Sequence, residues 1–236
     1  MAQTSEVAAA PNEAKAPAPV EKSDDLLYKA TVTGYAADHD QDFDFNLRRR
    51  IGPAVAWAGV FLDRHGPGQG RIGAEYDVQH EGVLVVPTLN LGTNGLVAGS
   101  LYSELGRRVY AIAGYAVTNL KPFYNLSFDP NDSVQVGLGW HVSTFDRLVA
   151  FSILDVRLHT RQQDTHVLWR HKLSPRDGIT FDGLFKSGRT DAGTYVRAFG
   201  LGVYYDRPRA FFKAYWDPYV NFSNDNMLRM GAGLKF

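Results

Sequence analysis

The chain has 236 residues, with 25 Lys and Arg balanced by 25 Asp and Glu, so no net charge is available to attract nucleic acid or an acidic partner. It has no cysteine, which excludes disulfide scaffolds, thiolate metal sites and cysteine nucleophiles. Aromatic residues make up 13% of the chain, rich for a globular domain, and the mean hydropathy is -0.25. Residues 1–25 are dominated by Ala, Pro, Glu and Lys and have no aromatic. Such a composition cannot bury a core and is expected to be disordered or extended. It lacks a basic start followed by an apolar run, so the chain is read as a mature form whose signal has been removed, with Met1 added for expression and the segment left as a periplasmic tail.

From residue 26 to 236 the pattern is different and continuous. Segments of about ten residues alternate apolar and polar, divided by Gly, Pro, Asn and Asp clusters, which is the signature of strands. Residues 28–35, 43–48, 54–62 and 71–79 come first, and Ile72, Ala74, Tyr76 and Val78 oppose Arg71, Gly73, Glu75, Asp77 and Gln79 in the cleanest internal case. Residues 82–103 form the longest uncharged run, but the Gly92-Thr93-Asn94-Gly95 cluster makes it two strands joined by a turn rather than a membrane helix. Segments at 108–117, 133–143, 148–158, 166–173, 179–186, 195–205 and 210–220 follow, and 118–132 is either a long loop or holds a short strand at 123–128. No helical period is found after residue 25.

The last stretch, MLRMGAGLKF, sorts Leu228, Met230, Ala232, Leu234 and Phe236 onto one side and Met227, Arg229, Gly231, Gly233 and Lys235 onto the other. One face is apolar without a charge; the other suits a cramped, wet interior. This ending resembles the closing strand of Gram-negative outer-membrane β-barrels, which typically ends in Phe. The resemblance implies an all-β, transmembrane, antiparallel up-and-down barrel over 26–236, located in the bacterial outer membrane and handled by the barrel-assembly machinery. Its lipid face would meet outer-membrane lipid and lipopolysaccharide. Backbone groups in hydrocarbon must be paired, so unbroken strands in a closed sheet agree with it. Tyr28, Tyr35, Trp57, Trp140, Trp169, Tyr195, Tyr204, Tyr205, Trp216 and Tyr219 lie toward segment ends and are assigned to the two interfacial girdles. Fourteen or fifteen segments can be counted, and an even number is required; twelve strands are expected after merging neighbours, with fourteen as the alternative.

The polar sides of the segments define an expected lumen: Arg48, Arg71, Glu75, Asp77, His141, Asp155, Arg157, Arg170, Lys172, Asp182, Lys186, Lys213, Asp217 and Arg229. Their mixed signs, with cations in excess toward the C-terminus, point to a narrow channel for small polar or anionic solutes. In broad outline the chain looks like small porins such as the twelve-stranded oligosaccharide-specific family. A barrel plugged by the same charges and acting through loops or partners is the second reading. A third comes from His141, Ser143 and Asp155, a His-x-Ser pair followed by an acid. This spacing resembles the outer-membrane phospholipase A and lipid A 3-O-deacylase families. The resemblance implies Ser143 as nucleophile, His141 as base and Asp155 as orienter of a lipid hydrolase. His141 and Ser143 share the polar face of their segment, however, whereas those families act from the lipid side. Arg48-Arg49-Arg50 is read as a solvated or lumen-facing cluster, with lipopolysaccharide phosphate contact as the alternative. No metal-ligand spacing or cofactor motif is present, so neither a metal nor a cofactor is expected.

Overall fold

The computed structural model of the chain describes residues 26–66, 68–119, 132–157, 160–190 and 192–236. The expected tail at 1–25 and the segment at 123–128 lie outside the described residues. The strands are β1 (Tyr28–Ala37), β2 (Gln41–Ile51), β3 (Ala54–Leu62), β4 (Gln69–Tyr76, continued past Asp77 by Val78–His80), β5 (Val83–Gly92), β6 (Leu96–Gly106) and β7 (Val109–Thr118). After the 119–132 connection come β8 (Ser133–His141), β9 (Asp146–Asp155), β10 (Gln163–Lys172), β11 (Gly178–Arg189), β12 (Tyr195–Asp206), β13 (Ala210–Asp217) and β14 (Met227–Lys235). Each strand pairs antiparallel with its chain neighbours, and β14 pairs with β1, so the sheet closes on itself.

The barrel therefore has fourteen strands, not the expected twelve. Merging neighbours was the error. Two- and three-residue links such as Gly52-Pro53 and Asp38-His39-Asp40 are complete reversals, because each flanking strand runs in full antiparallel register with the next. The two pieces of β4 are one strand, since both hold the same register against β5. Extending that register sets Tyr76 opposite Pro87, which has no N–H to give to the ladder. Nearby, the Asp77 amide donates instead to Pro53 O at 2.9 Å.

The two ends of the chain meet at one rim. Tyr28 N donates to Phe236 O at 2.7 Å, Phe236 N donates to Tyr28 O at 3.0 Å, and the two rings stack 5.6 Å apart. We call this the terminal rim and the opposite one the far rim. Outward positions are apolar and exposed along most strands, as at Leu228, Met230 and Leu234. Inward positions carry the charges, but one wall is apolar: Tyr110, Ile112, Val149, Phe151, Ile153 and Leu168 pack together on β7, β9 and β10. Tyr35, Trp57 and Tyr204 alternate onto the inner face and leave the expected girdles, whereas Trp140, Trp169 and Trp216 face outward.

Inward rings lie flat on the wall where the neighbouring strand offers glycine. A Cβ at Gly139 would lie 1.8 Å from the Tyr110 ring, one at Gly202 2.2 Å from Tyr215, and one at Gly73 2.3 Å from Trp57. Gly139→Val is expected to lift Tyr110 off the wall and to destabilise the barrel by about 1–3 kcal/mol, the usual cost of overpacking. A lowered temperature for loss of the folded band in unheated detergent gels checks this; an unchanged temperature contradicts the packing argument.

Candidate functional site

The inner face on β11 to β14 and β1 to β4 is built from charges with assigned partners. Asp44 is bound by Arg71, and both side chains are buried. Arg48 donates to Asn46 Oδ1 at 3.2 Å and sits 6.0 Å from the Trp57 ring centre. Lys186 Nζ donates to Asp217 Oδ1 at 2.7 Å and to Tyr219 O at 3.3 Å. The Arg229 guanidinium lies over Tyr215 at 4.7 Å, and Lys213 crosses Gly231. Alternation puts these side chains on the inner face; Arg48–Trp57 and Arg229–Tyr215 are direct cross-strand partners, whereas Arg71 reaches Asp44 across β3 and Lys186 reaches Asp217 across β12.

The opposite wall holds one dense network. Arg147 Nη2 donates to Glu104 at 3.0 and 3.2 Å, its Nε donates to the Tyr110 hydroxyl at 2.6 Å, and Tyr102 donates to Glu104 at 2.6 Å. His166 lies 3.1 Å from Asp182 and stacks on Phe151 at 5.0 Å. Arg170 and Lys172 face inward below it on β10, and Glu75 is buried on β4. Sequence reading missed Arg147, Glu104, Tyr102, Tyr110 and Trp57. Glu104 was legible as the polar end of its segment. Arg147 was not, because it is the second residue after a turn and precedes an apolar run.

Other expected lumen residues sit at the rims. Asp77 pairs with Arg50 at 3.3 Å on the terminal rim. Arg157 reaches Asp132 at 3.9 Å beyond the far end of β9. The Arg48-Arg49-Arg50 run is divided by alternation: Arg49 faces outward over Tyr28 at 5.5 Å, at the terminal rim. Asp40, Asp42 and Asp63 gather on the far rim, where Asp63 accepts from His65 N and Gly66 N and Asp42 from Arg64 N.

The structure does not bring His141, Ser143 and Asp155 together. His141 is at the terminal-rim end of β8, with its ring 5.5 Å from Tyr110. Asp155 ends β9 at the far rim, where it accepts from Thr160 Oγ1 at 3.1 Å and from Arg157 N at 3.1 Å. Strand rise sets the two about 30 Å apart along the wall. Ser143 Oγ caps the β8–β9 turn: it accepts from Phe145 N and Asp146 N and donates to Asp146 Oδ2 at 2.9 Å.

The last connection, residues 218–226, folds into the far mouth. Val220 is 5% exposed and joins Tyr35, Phe61 and Met227 of β1, β3 and β14 in an apolar cluster. Phe222 is 2% exposed and lies against Gly188 and Lys186 of β11. The loop thus runs across the half of the mouth above the charged wall. Val220 reads as the end of a strand and 221–226 as a loop, but no sequence signal marks that the loop enters the mouth.

No family model matches the chain, and no curated protein matches it. Solved structures do. The outer membrane protein Omp33 of Acinetobacter baumannii is 10% identical, with a TM-score of 0.60 over 89% of this chain and 98% of that one. The KdgM porin in complex with disordered oligogalacturonate is 8% identical, with a TM-score of 0.51 over 88% of this chain and 99% of that one. At such identities the likeness is one of fold. That fold is the porin-like β-barrel of Gram-negative outer membranes.

Proposed function

We propose that the chain forms a narrow outer-membrane channel for passive passage of small polar or anionic solutes. The observation that carries this reading is the width of the ring set against its lining. Fourteen strands about 4.8 Å apart and tilted by about 40° close at a radius of about 14 Å. An eight-stranded ring is just filled by its own side chains, and diameter grows with strand number, so fourteen leave room for water. The apolar cluster on β7, β9 and β10 occupies one side, which confines a polar path to the charged wall of β11 to β14 and β1 to β4.

The preference for anions follows from how the charges are used. Asp44, Glu104 and Asp217 each have a Lys or Arg beside them, and Asp182 has the His166 ring. Arg48 donates to a neutral amide and lies near a ring, and the carboxylate it acts on, Asp44, is already held by Arg71, so its charge is the less neutralised. KdgM was solved with oligogalacturonate, an acidic saccharide, which agrees with an anionic cargo. Val220 and Phe222 in the far mouth support a second reading, a barrel closed at rest by its last loop.

Single-channel recording of the refolded protein in a planar bilayer tests both. A small, steady conductance that favours chloride over potassium is expected. Arg48→Gln is expected to shift the reversal potential toward the cation. A bilayer that stays silent with correctly folded protein would reject the resting channel and leave the closed barrel.

A further inference from the structure

The lipid-facing wall carries a polar island next to the far rim. Three strand levels compose it. At the lowest, Ser152 of β9 faces Thr165 of β10, with their hydroxyl oxygens 2.8 Å apart, and Phe185 and Phe199 of β11 and β12 continue the row, ring centres 5.2 Å apart. At the next, Gln163 faces Ser187, which faces Arg197, and the Gln163 amide donates to Thr165 Oγ1 at 2.9 Å. At the top, Arg189 faces Tyr195, and Arg189 N donates to Thr160 O beside Arg161. Arg161, Arg189 and Arg197 are all exposed, and Arg161 and Arg197 both act on the Tyr195 phenol. Among the described residues of this island there is no acid.

Three cations set close together repel one another, no carboxylate among the described residues of the island offsets them, and a bound anion would stabilise them. Guanidinium groups bind phosphate oxygens in paired hydrogen bonds, and hydroxyl and amide groups below them suit a sugar. The Phe185–Phe199 pair beneath is apolar and suits acyl chains. We propose that this island binds a phosphorylated saccharide lipid of the outer leaflet, with Arg161, Arg189 and Arg197 on its phosphate and Phe185 and Phe199 against its acyl chains. The proposal rests on the outer-membrane location, with the termini at the periplasmic rim, and is independent of whether the lumen conducts.

The test is native mass spectrometry of the refolded chain in detergent with a bisphosphorylated glucosamine-disaccharide lipid as probe. The variant carries Arg161→Gln, Arg189→Gln and Arg197→Gln together, and Arg49→Gln at the other rim is the control. Loss of three charge-assisted contacts is expected to weaken binding by about tenfold or more, with Arg49→Gln like wild type. The dephosphorylated lipid is expected to bind the wild type as weakly as the probe binds the variant. Equal binding by wild type and variant, equal binding of the dephosphorylated lipid, or full competition by equimolar inorganic phosphate would each overturn the proposal. So would self-association in bilayers that the variant abolishes, because the island would then be an interface between copies. The gel heat-shift of the variant reports folding, and its conductance, expected to be that of wild type, keeps the channel reading separate.

Discussion

Val220→Ser combined with Phe222→Ser should raise single-channel conductance several-fold and make it noisier. The loop that carries these residues is held in an expensive conformation. Tyr219, Asn221 and Phe222 have φ of 49°, 52° and 55°, in the left-handed region, and none is glycine. Each such residue costs on the order of 1–3 kcal/mol. Three backbone bonds close the loop: Val220 N to Asp225 O, Phe222 N to Tyr219 O and Ser223 N to Val220 O, at 2.8 to 2.9 Å. Burial of Phe222 and Val220 offsets the rest, at about 1.5–3 kcal/mol for each side chain. Without those anchors the strained turn has no reason to stay in the mouth, and it should swing to solvent. The bonds from Asn226 to Asp38 and between His39 and Asp225 would still hold its outer end to the β1–β2 turn. The barrel wall should therefore remain folded, as unheated gels would report. Conductance equal to that of wild type would mean that ions do not pass beneath this loop.

Lys186→Met should destabilise the barrel by about 3 kcal/mol, because the buried Asp217 carboxylate loses the cation hydrogen-bonded to it, while Arg229 still acts on it. The Lys186 and Asp217 side chains are 0% and 2% exposed, so water cannot replace the lost partner. Lys186 also donates to Tyr219 O, which ties β11 to the loop in the mouth. The single variant should thus unfold at lower temperature and conduct more. The double variant Lys186→Met with Asp217→Leu should recover much of the stability, since a matched apolar pair removes both desolvation costs. It should keep the raised conductance, because the tie to Tyr219 is still missing. Equal unfolding temperatures for the single and double variants would show that the pair is not buried in the membrane-embedded protein.

The two effects are linked through one residue and separable by measurement. Conductance reads the loop and thermal stability reads the pair, and Lys186 belongs to both. Phe222 stands 5.3 Å from Lys186 Nζ, so the ring covers the ammonium group that holds the loop's first turn. Loss of the ring alone should leave the Lys186–Asp217 bond intact.

The amino-acid order alone determined the strand pattern and its partition. Leu228, Met230, Ala232 and Leu234 alternate with Arg229, Gly231, Gly233 and Lys235, and period two is a local property that needs no partner to be read. The same local rule led from alternating segments to an all-β barrel with Arg71, Glu75, Asp182 and Lys186 on its inner face. Ring closure was not local. Whether fourteen segments stay fourteen depends on every reversal being a true hairpin, which only the register of each pair decided. Trp57 reached the lumen because Gly73, on the next strand, leaves a place for its ring. Arg147 found Glu104 43 positions away through three intervening strand pairings. Val220 looks like the end of a strand and Phe222 like part of an ordinary loop until three left-handed residues turn the chain into the mouth. The outer-wall arginines come from two strands and a loop, each carrying a cation that is unremarkable alone. Contacts of this kind are set by where the closed sheet carries each residue, and no spacing along the chain encodes that.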